Sequence, residues 1–204
     1  MALSLKPEPR SSFKTRVKQE REQEILQAAR DIFAQHGFEK ASIDDIADRV
    51  GIGKGTVYLH FGSKEELLLA LMRQNCAQMV AGCRARMEGA STAPEKLQAA
   101  IRALADHRYA NESWVRIVAS EMPVFMGFKQ RLAASSELRA LLVETIQQGQ
   151  AEGSLDSGVN PLVAATTLLF LVFATPFLAG QKRMSKQELI DTVSRLYFHG
   201  ISRR

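Results

Sequence analysis

The chain has 204 residues, 46% of them hydrophobic and 24% charged, an ordinary soluble globular composition with apolar matter for one large domain or two small ones. Its formal net charge of +5, with a pI of about 9.4, is compatible with a nucleic-acid partner but does not identify one. The two cysteines, Cys76 and Cys83, stand seven apart in a helical segment, a rise of roughly 10 Å that excludes an intrachain disulfide. No Cys or His lies near them at zinc-ligand spacing, so they read as small half-buried hydrophobes in a reducing cytoplasm.

Residues 1–18 hold two prolines, three serines and five basic groups against one acidic group, and are expected to form a flexible basic arm. Leu3 and Leu5 are followed by Lys6-Pro7-Glu8-Pro9, which leaves no apolar stretch for a signal peptide. Helical periodicity starts near Glu20, with Ile25, Ala28, Ala29, Ile32 and Phe33 on one face and Gly37 as the stop. Ser42 is a natural N-cap for a second helix, with Asp45 at N3 and Ile43, Ile46, Ala47 and Val50 on its inner face. After Gly51-Ile52-Gly53 a short helix is predicted from Lys54 to about Phe61. Ser63-Lys64-Glu65-Glu66 is a capping box that opens a long helix to about Met87. Further helices are predicted at about 94–110, 112–126, 133–151, 160–179 and 186–201. No strand-like alternation is visible, so the fold class is all-α. Leu162–Ala179 is 18 residues without a charge, the lower edge of a membrane span. Its three threonines, its proline and its one-sided basic flank predict a buried helix of a soluble protein instead.

Residues 43–61 are two short helices joined by a turn with two glycines. That is the spacing of a helix-turn-helix, whose second helix enters the major groove of DNA. The outer side of that helix should carry Lys54, Thr56, Tyr58 and His60, groups suited to phosphate oxygens and base edges, with Val57 and Phe61 facing inward. The glycines let the helix N-terminus come close to a phosphate backbone. An ordinary helical hairpin has the same outline, so spacing alone leaves both readings open.

The wording of the segment goes further. Ile25-Leu26-Gln27-Ala28-Ala29 through Phe33, Gly37-Phe38, Ser42-Ile43, Ile46-Ala47, the run from Val50 to Phe61 and Ser63-Lys64-Glu65-Glu66-Leu67 together closely resemble the tetracycline-repressor (TetR/AcrR) family. The resemblance covers about residues 20–70. It implies three parts: a flexible arm (1–18), a three-helix helix-turn-helix DNA-binding domain (19–66), and a C-terminal helical domain (67–204) for effector binding and dimerisation, entered by a long helix. It implies that Lys54, Gly55 and Tyr58 reach bases, and that Ser42, Thr56, His60 and Lys64 hold phosphates. Lys64 fits, since a lysine in the first turn of a helix opposes the dipole unless an anion is near. Gly53 departs from the Ser or Thr often found there, which shifts base selectivity toward Lys54 and Tyr58, while Leu59 either touches a thymine methyl or packs.

In the C-terminal part, the apolar helix with Leu168, Leu171 and Val172 and the helix with Leu189, Val193, Leu196 and Tyr197 look like half of a four-helix subunit interface. They would equally complete a monomer core; the resemblance favours a homodimer on a pseudo-palindromic double-stranded operator. His107, Trp114, Met122, Phe125, Met126, Phe128, Phe170 and Phe173 are candidate lining of a pocket for a small, largely apolar effector. An effector that favours a wider spacing of the heads would release the operator by population shift. No Gly-rich phosphate loop, metal cluster or Gly-x-Ser-x-Gly is present, so no enzyme, cofactor or metal is expected. The reading is a cytoplasmic, nucleoid-associated, ligand-responsive repressor, with an activator of the same fold or a non-specific architectural DNA binder as the alternatives.

Overall fold

The computed structural model of the chain describes residues 10–111, 113, 114, 117, 133–178 and 184–201. Among these are eight helices and no strand, the all-α class expected from the sequence: α1 (Arg10–His36), α2 (Ile43–Val50), α3 (Lys54–His60), α4 (Lys64–Met87), α5 (Ala93–Ala110), α6 (Ala133–Ala151), α7 (Pro161–Leu178) and α8 (Lys186–Ile201). The chain divides after Leu71 into two compact units, and α4 starts in the first and continues into the second. Most of the helix predicted at 112–126 lies outside the described residues.

In the first unit, α1 begins at Arg10, ten residues before the apolar periodicity does. The arm expected over 1–18 is therefore helical from residue 10 onward. Residues 14–20 are all exposed and bury no face, so no 3–4 spacing marks them. They are supported instead by i,i+4 ion pairs, Arg16–Glu20 at 3.9 Å and Lys18–Glu22 at 3.8 Å. From Ile25 on, Ile25, Ala29, Ile32 and Phe33 are buried. Gly37 takes a left-handed φ of 78° and its N–H donates to the Phe33 carbonyl at 2.9 Å, which ends the helix. Phe38 then folds back edge-on to Phe33, ring centroids 5.3 Å apart.

Capping sets the next boundaries. Ser42 Oγ accepts from the Asp45 N–H at 3.1 Å, and the Asp45 carboxylate accepts from the Ser42 N–H at 3.0 Å, a complete capping box for α2. Gly51, at φ 73°, turns the chain off α2 with its N–H on the Ala47 and Asp48 carbonyls. At the start of α4, Ser63 Oγ accepts from the Glu66 N–H, while the Glu66 carboxylate accepts from the Gly62 N–H at 2.9 Å, one residue further back than a capping box requires.

The second unit has its own core. Val80, Cys83 and Met87 of α4, Leu97, Ile101 and Leu104 of α5, Leu142 and Ile146 of α6, Leu168 and Val172 of α7, and Leu189, Val193 and Tyr197 of α8 form one cluster. α5 and α8 run antiparallel and are stitched along their length. Gln98 donates to Ser194 Oγ at 2.9 Å, Lys186 pairs with Asp106 at 2.8 Å, and the Tyr109 hydroxyl donates to the Met184 carbonyl at 2.6 Å. Asp106 also pairs with Arg86 of α4 at 2.6 Å, so one carboxylate ties three helices. Near the end of α6 the packing leaves no room for a side chain at Gly149: a Cβ there would stand 2.6 Å from Leu155 Cδ1 and 2.7 Å from the Ala93 Cβ. Among the described residues no helix is long and apolar enough to cross a membrane, and Thr166 and Thr167 of α7 are exposed.

Candidate functional site

The α2-turn-α3 segment is held from beneath by Ile43, Ile46, Ala47 and Val57, all buried, with Phe61 partly so. What remains outward on α3 is unusual for a free surface. Leu59 is 85% exposed and Tyr58 44% exposed, although both carry large apolar area. Gly53 and Gly55 open the helix, and a Cβ built on either meets nothing within 4 Å. Gly53 also has an ordinary φ of −71°. The fold itself therefore does not need glycine at these two places. Glycine inside a helix costs roughly 0.5–1 kcal/mol relative to alanine, so Gly55 lowers the stability of α3 and leaves its surface flat where a partner can come close.

The basic side chains of this surface are engaged. The Lys54 ammonium donates to Asp44 Oδ2 at 2.7 Å, and that hydrogen bond holds its pKa above the ordinary lysine value. His60 Nδ1 faces Glu22 Oε1 of α1 at 3.3 Å, with its side chain largely buried. Arg49 pairs with Asp31 at 3.0 Å. Thr56 is partly exposed.

Ser42 and Lys64, both expected at phosphates, are committed within the protein. Ser42 Oγ accepts from Asp45 N and donates to Asp45 Oδ2 at 2.6 Å. Lys64 Nζ donates to the carbonyls of Phe38, Glu39 and Ala41 at 2.7, 3.2 and 3.0 Å, and lies 4.5 Å from the centre of the Phe38 ring. The conflict with the α4 dipole is thus offset by carbonyl oxygens of the α1–α2 connection, with no outside anion required.

In the second unit, Met122, Phe125, Met126 and Phe128 lie outside the described residues. His107 and Trp114 are partly buried, and His107 Nε2 stands 2.8 Å from Oδ1 of the buried Asn75 on α4. Phe173 packs partly buried against the core, whereas Phe170 is 63% exposed and so does not line the interior of the unit as expected. The residues expected at a subunit interface divide. Leu168, Val172, Leu189, Val193 and Tyr197 sit inside the unit's own core, so their surface is already spent on their own chain. Leu171 is partly buried against the same core. The apolar side chains left exposed on α7 and α8 are Leu162, Val163, Phe170 and Leu196. Sequence reasoning also missed Asp44 and Glu22, the carboxylates that hold Lys54 and His60. Their partners are 10 and 38 residues away, and charge pattern alone does not reveal such pairs.

Comparison with known proteins follows the same division. The model of the family described as bacterial regulatory proteins, tetR family, matches residues 25–71, which span the end of α1 to the start of α4. The HTH-type transcriptional activator FasR of Mycolicibacterium smegmatis is 37% identical over 87 residues, 43% of this chain and 40% of FasR, so the match spans less than half of that relative's length. The HTH-type transcriptional repressor KstR2 of the same species is 31% identical over 141 residues, 66% of this chain and 67% of KstR2. The solved structure of the transcriptional regulator FadR from Bacillus subtilis, in complex with stearoyl-CoA, shares the fold with a TM-score of 0.75, at 20% identity and over 87% of this chain and 98% of that one.

Proposed function

The chain belongs to the tetR family of bacterial regulatory proteins, and on that premise we propose that it is a ligand-responsive repressor that reads duplex DNA with α3 as a homodimer. The observation that carries this reading is the outward surface of α3, where Leu59 and Tyr58 are exposed and Gly53 and Gly55 leave open space that the fold does not use. Tyr58 and Lys54 are the base-reaching residues, Leu59 contacts a thymine methyl, and Thr56 and His60 hold phosphates, His60 while braced by Glu22. Gly55 brings the α3 backbone close to the duplex, with Gly53 beside it. Ser42 and Lys64 act one step back, holding α2 and the α1–α2 connection that carry α3. Two copies join through Leu162, Val163 and Phe170 of α7 and Leu196 of α8, and their two α3 helices read half-sites of a pseudo-palindromic operator.

The effector is a small amphiphile with a large apolar part, taken up in the second unit. Among the described residues, the partly buried His107, Trp114 and Phe173 are the side chains offered to it. Support for that class comes from the relatives: the FadR structure holds stearoyl-CoA. Effector binding lowers operator affinity, and by linkage the operator lowers effector affinity by the same factor.

The test separates fold from function at one position. Gly55→Ala fills empty space and removes the helix penalty of glycine, so the variant should be as stable as the parent or more so. In fluorescence anisotropy on a duplex selected from random DNA by the full chain, it should nonetheless bind at least tenfold more weakly, as should Tyr58→Ala. A Gly55→Ala variant that binds the selected duplex like the parent would sink the reading of α3 as the DNA-reading helix.

A further inference from the structure

The first unit is not basic. Residues 1–71 contain eleven Lys and Arg against eleven Asp and Glu, so the whole formal charge of +5 falls in residues 72–204. Around α3 the balance is local as well as global: Lys54 stands on Asp44, His60 on Glu22 and Arg49 on Asp31. The Lys54–Asp44 pair is exposed, its side chains 49% and 59% accessible, and exposed pairs of this kind add little to folding. Stability therefore does not explain why a carboxylate stands beside a lysine at the head of the DNA-reading helix.

Resting on the reading of α3 above, we propose that Asp44 is a selectivity-determining residue, because it converts Lys54 from a phosphate-seeking charge into a positioned hydrogen-bond donor. An ammonium has three donors and no acceptor. Asp44 takes one at 2.7 Å, which fixes the group and leaves two for a partner. Attraction to any duplex is set by how many phosphates a protein neutralises, with a log–log salt slope of about −0.9 for each. A lysine already neutralised by a carboxylate contributes little to that slope. Its two remaining donors still match the acceptor pair O6 and N7 of guanine in the major groove. Lys54 thus adds to affinity only where a base presents acceptors at the right place, and the head avoids a gain in affinity for every sequence alike. Asp48 supplies an internal control: it is an exposed carboxylate on the same helix, α2, with no ion pair of its own among the described residues.

The experiment uses the full chain, the duplex it selects from random DNA, and a scrambled duplex of equal length, titrated by anisotropy over a range of salt concentrations. Asp44→Asn should strengthen binding to the scrambled duplex, steepen its salt slope by about 0.9 for each head bound, and cut the ratio of selected to scrambled affinity by about tenfold. Asp48→Asn should change both duplexes together and leave that ratio alone. Lys54→Met should lose about tenfold on the selected duplex with its salt slope unchanged. If Lys54→Met instead flattens the slope by about 0.9 for each head, or Asp44→Asn behaves as Asp48→Asn does, the pair is not a selectivity device. A parent chain that enriches no sequence overturns the reading of α3 and this inference with it. A selective parent whose Asp44→Asn variant is unaltered overturns the inference alone.

Discussion

Lys64→Met keeps the aliphatic stem of the side chain and deletes its ammonium, which in the structure serves three carbonyls of the α1–α2 connection and lies over the Phe38 ring. Hydrogen bonds to a charged group contribute about 1.5–3 kcal/mol each when counted singly. Here all three share one partly exposed ammonium that water would solvate in the unfolded chain, so the group contributes about 2–3 kcal/mol in total. Removing a positive charge from the first turn of α4 returns about 0.5 kcal/mol through the helix dipole. The net loss is about 2 kcal/mol. At about 4–8 °C for each kcal/mol in a domain of this size, the melting midpoint of the first unit should fall by about 8–16 °C. Calorimetry of the full chain, with amide exchange to assign the transition to residues of α1 and α2, measures it. The opposing outcome is specific: a variant with the parent's midpoint, weakened on every duplex equally and with a salt slope flatter by about 0.9 for each head, would mean that Lys64 serves a phosphate and that its carbonyl contacts contribute nothing.

Other perturbations probe the second unit. The Tyr197 hydroxyl is buried and has no hydrogen-bond partner among the described residues, so Tyr197→Phe should be neutral or stabilise by up to about 1 kcal/mol; a loss of that size would reveal a partner. Burial pushes the thiols of Cys76 and Cys83 up to about 11 and about 12, so near neutral pH neither is a thiolate. A thiol-reactive chromophore should label the buried Cys83 only as fast as the second unit opens, while the partly exposed Cys76 reacts slowly near neutral pH; rapid labelling of Cys83 would contradict the packing. The hydrogen bond from Lys186, aided by the charge of Arg86, holds the Asp106 carboxyl below the usual aspartate value. Its contribution is therefore fully present above that usual value and is lost as pH falls through the lowered one, so Asp106→Asn should flatten the acid side of the stability curve. Phe170→Glu with Leu196→Glu, both at exposed positions, should yield a helical monomer in sedimentation, whereas an unchanged dimer would move the interface elsewhere.

How far the sequence could be read depended on whether a residue's partner was near in the chain. The starts and stops of α2 and α3 and the start of α4 were legible because Ser42, Gly51 and Ser63 act within a few residues of themselves. The first turns of α1 were not, since an exposed helix held by ion pairs carries no apolar rhythm. α7 was legible as a helix but not in phase. A segment apolar on every side gives no sign of which residues turn inward: Leu168 and Val172 are buried, while Leu162, Val163 and Phe170 stay exposed. Around α3 the motif falls within the stretch that the family model matches, while the contacts of Lys64 and His60 reach 23 to 38 residues away and belong to the fold.

The close packing at Gly149 limits how this molecule can change. The end of α6, the start of α5 and the turn carrying Leu155 share the space of one absent methyl group. Most surface substitutions away from such features change stability little, within about ±0.5 kcal/mol. Here a larger residue must push aside the Leu155 side chain or Ala93 of α5, at the roughly 1–3 kcal/mol that overpacking typically costs. A Gly149 substitution is therefore expected to be tolerated far better beside a smaller residue at 155 than alone, so the two positions should covary in their effect on stability.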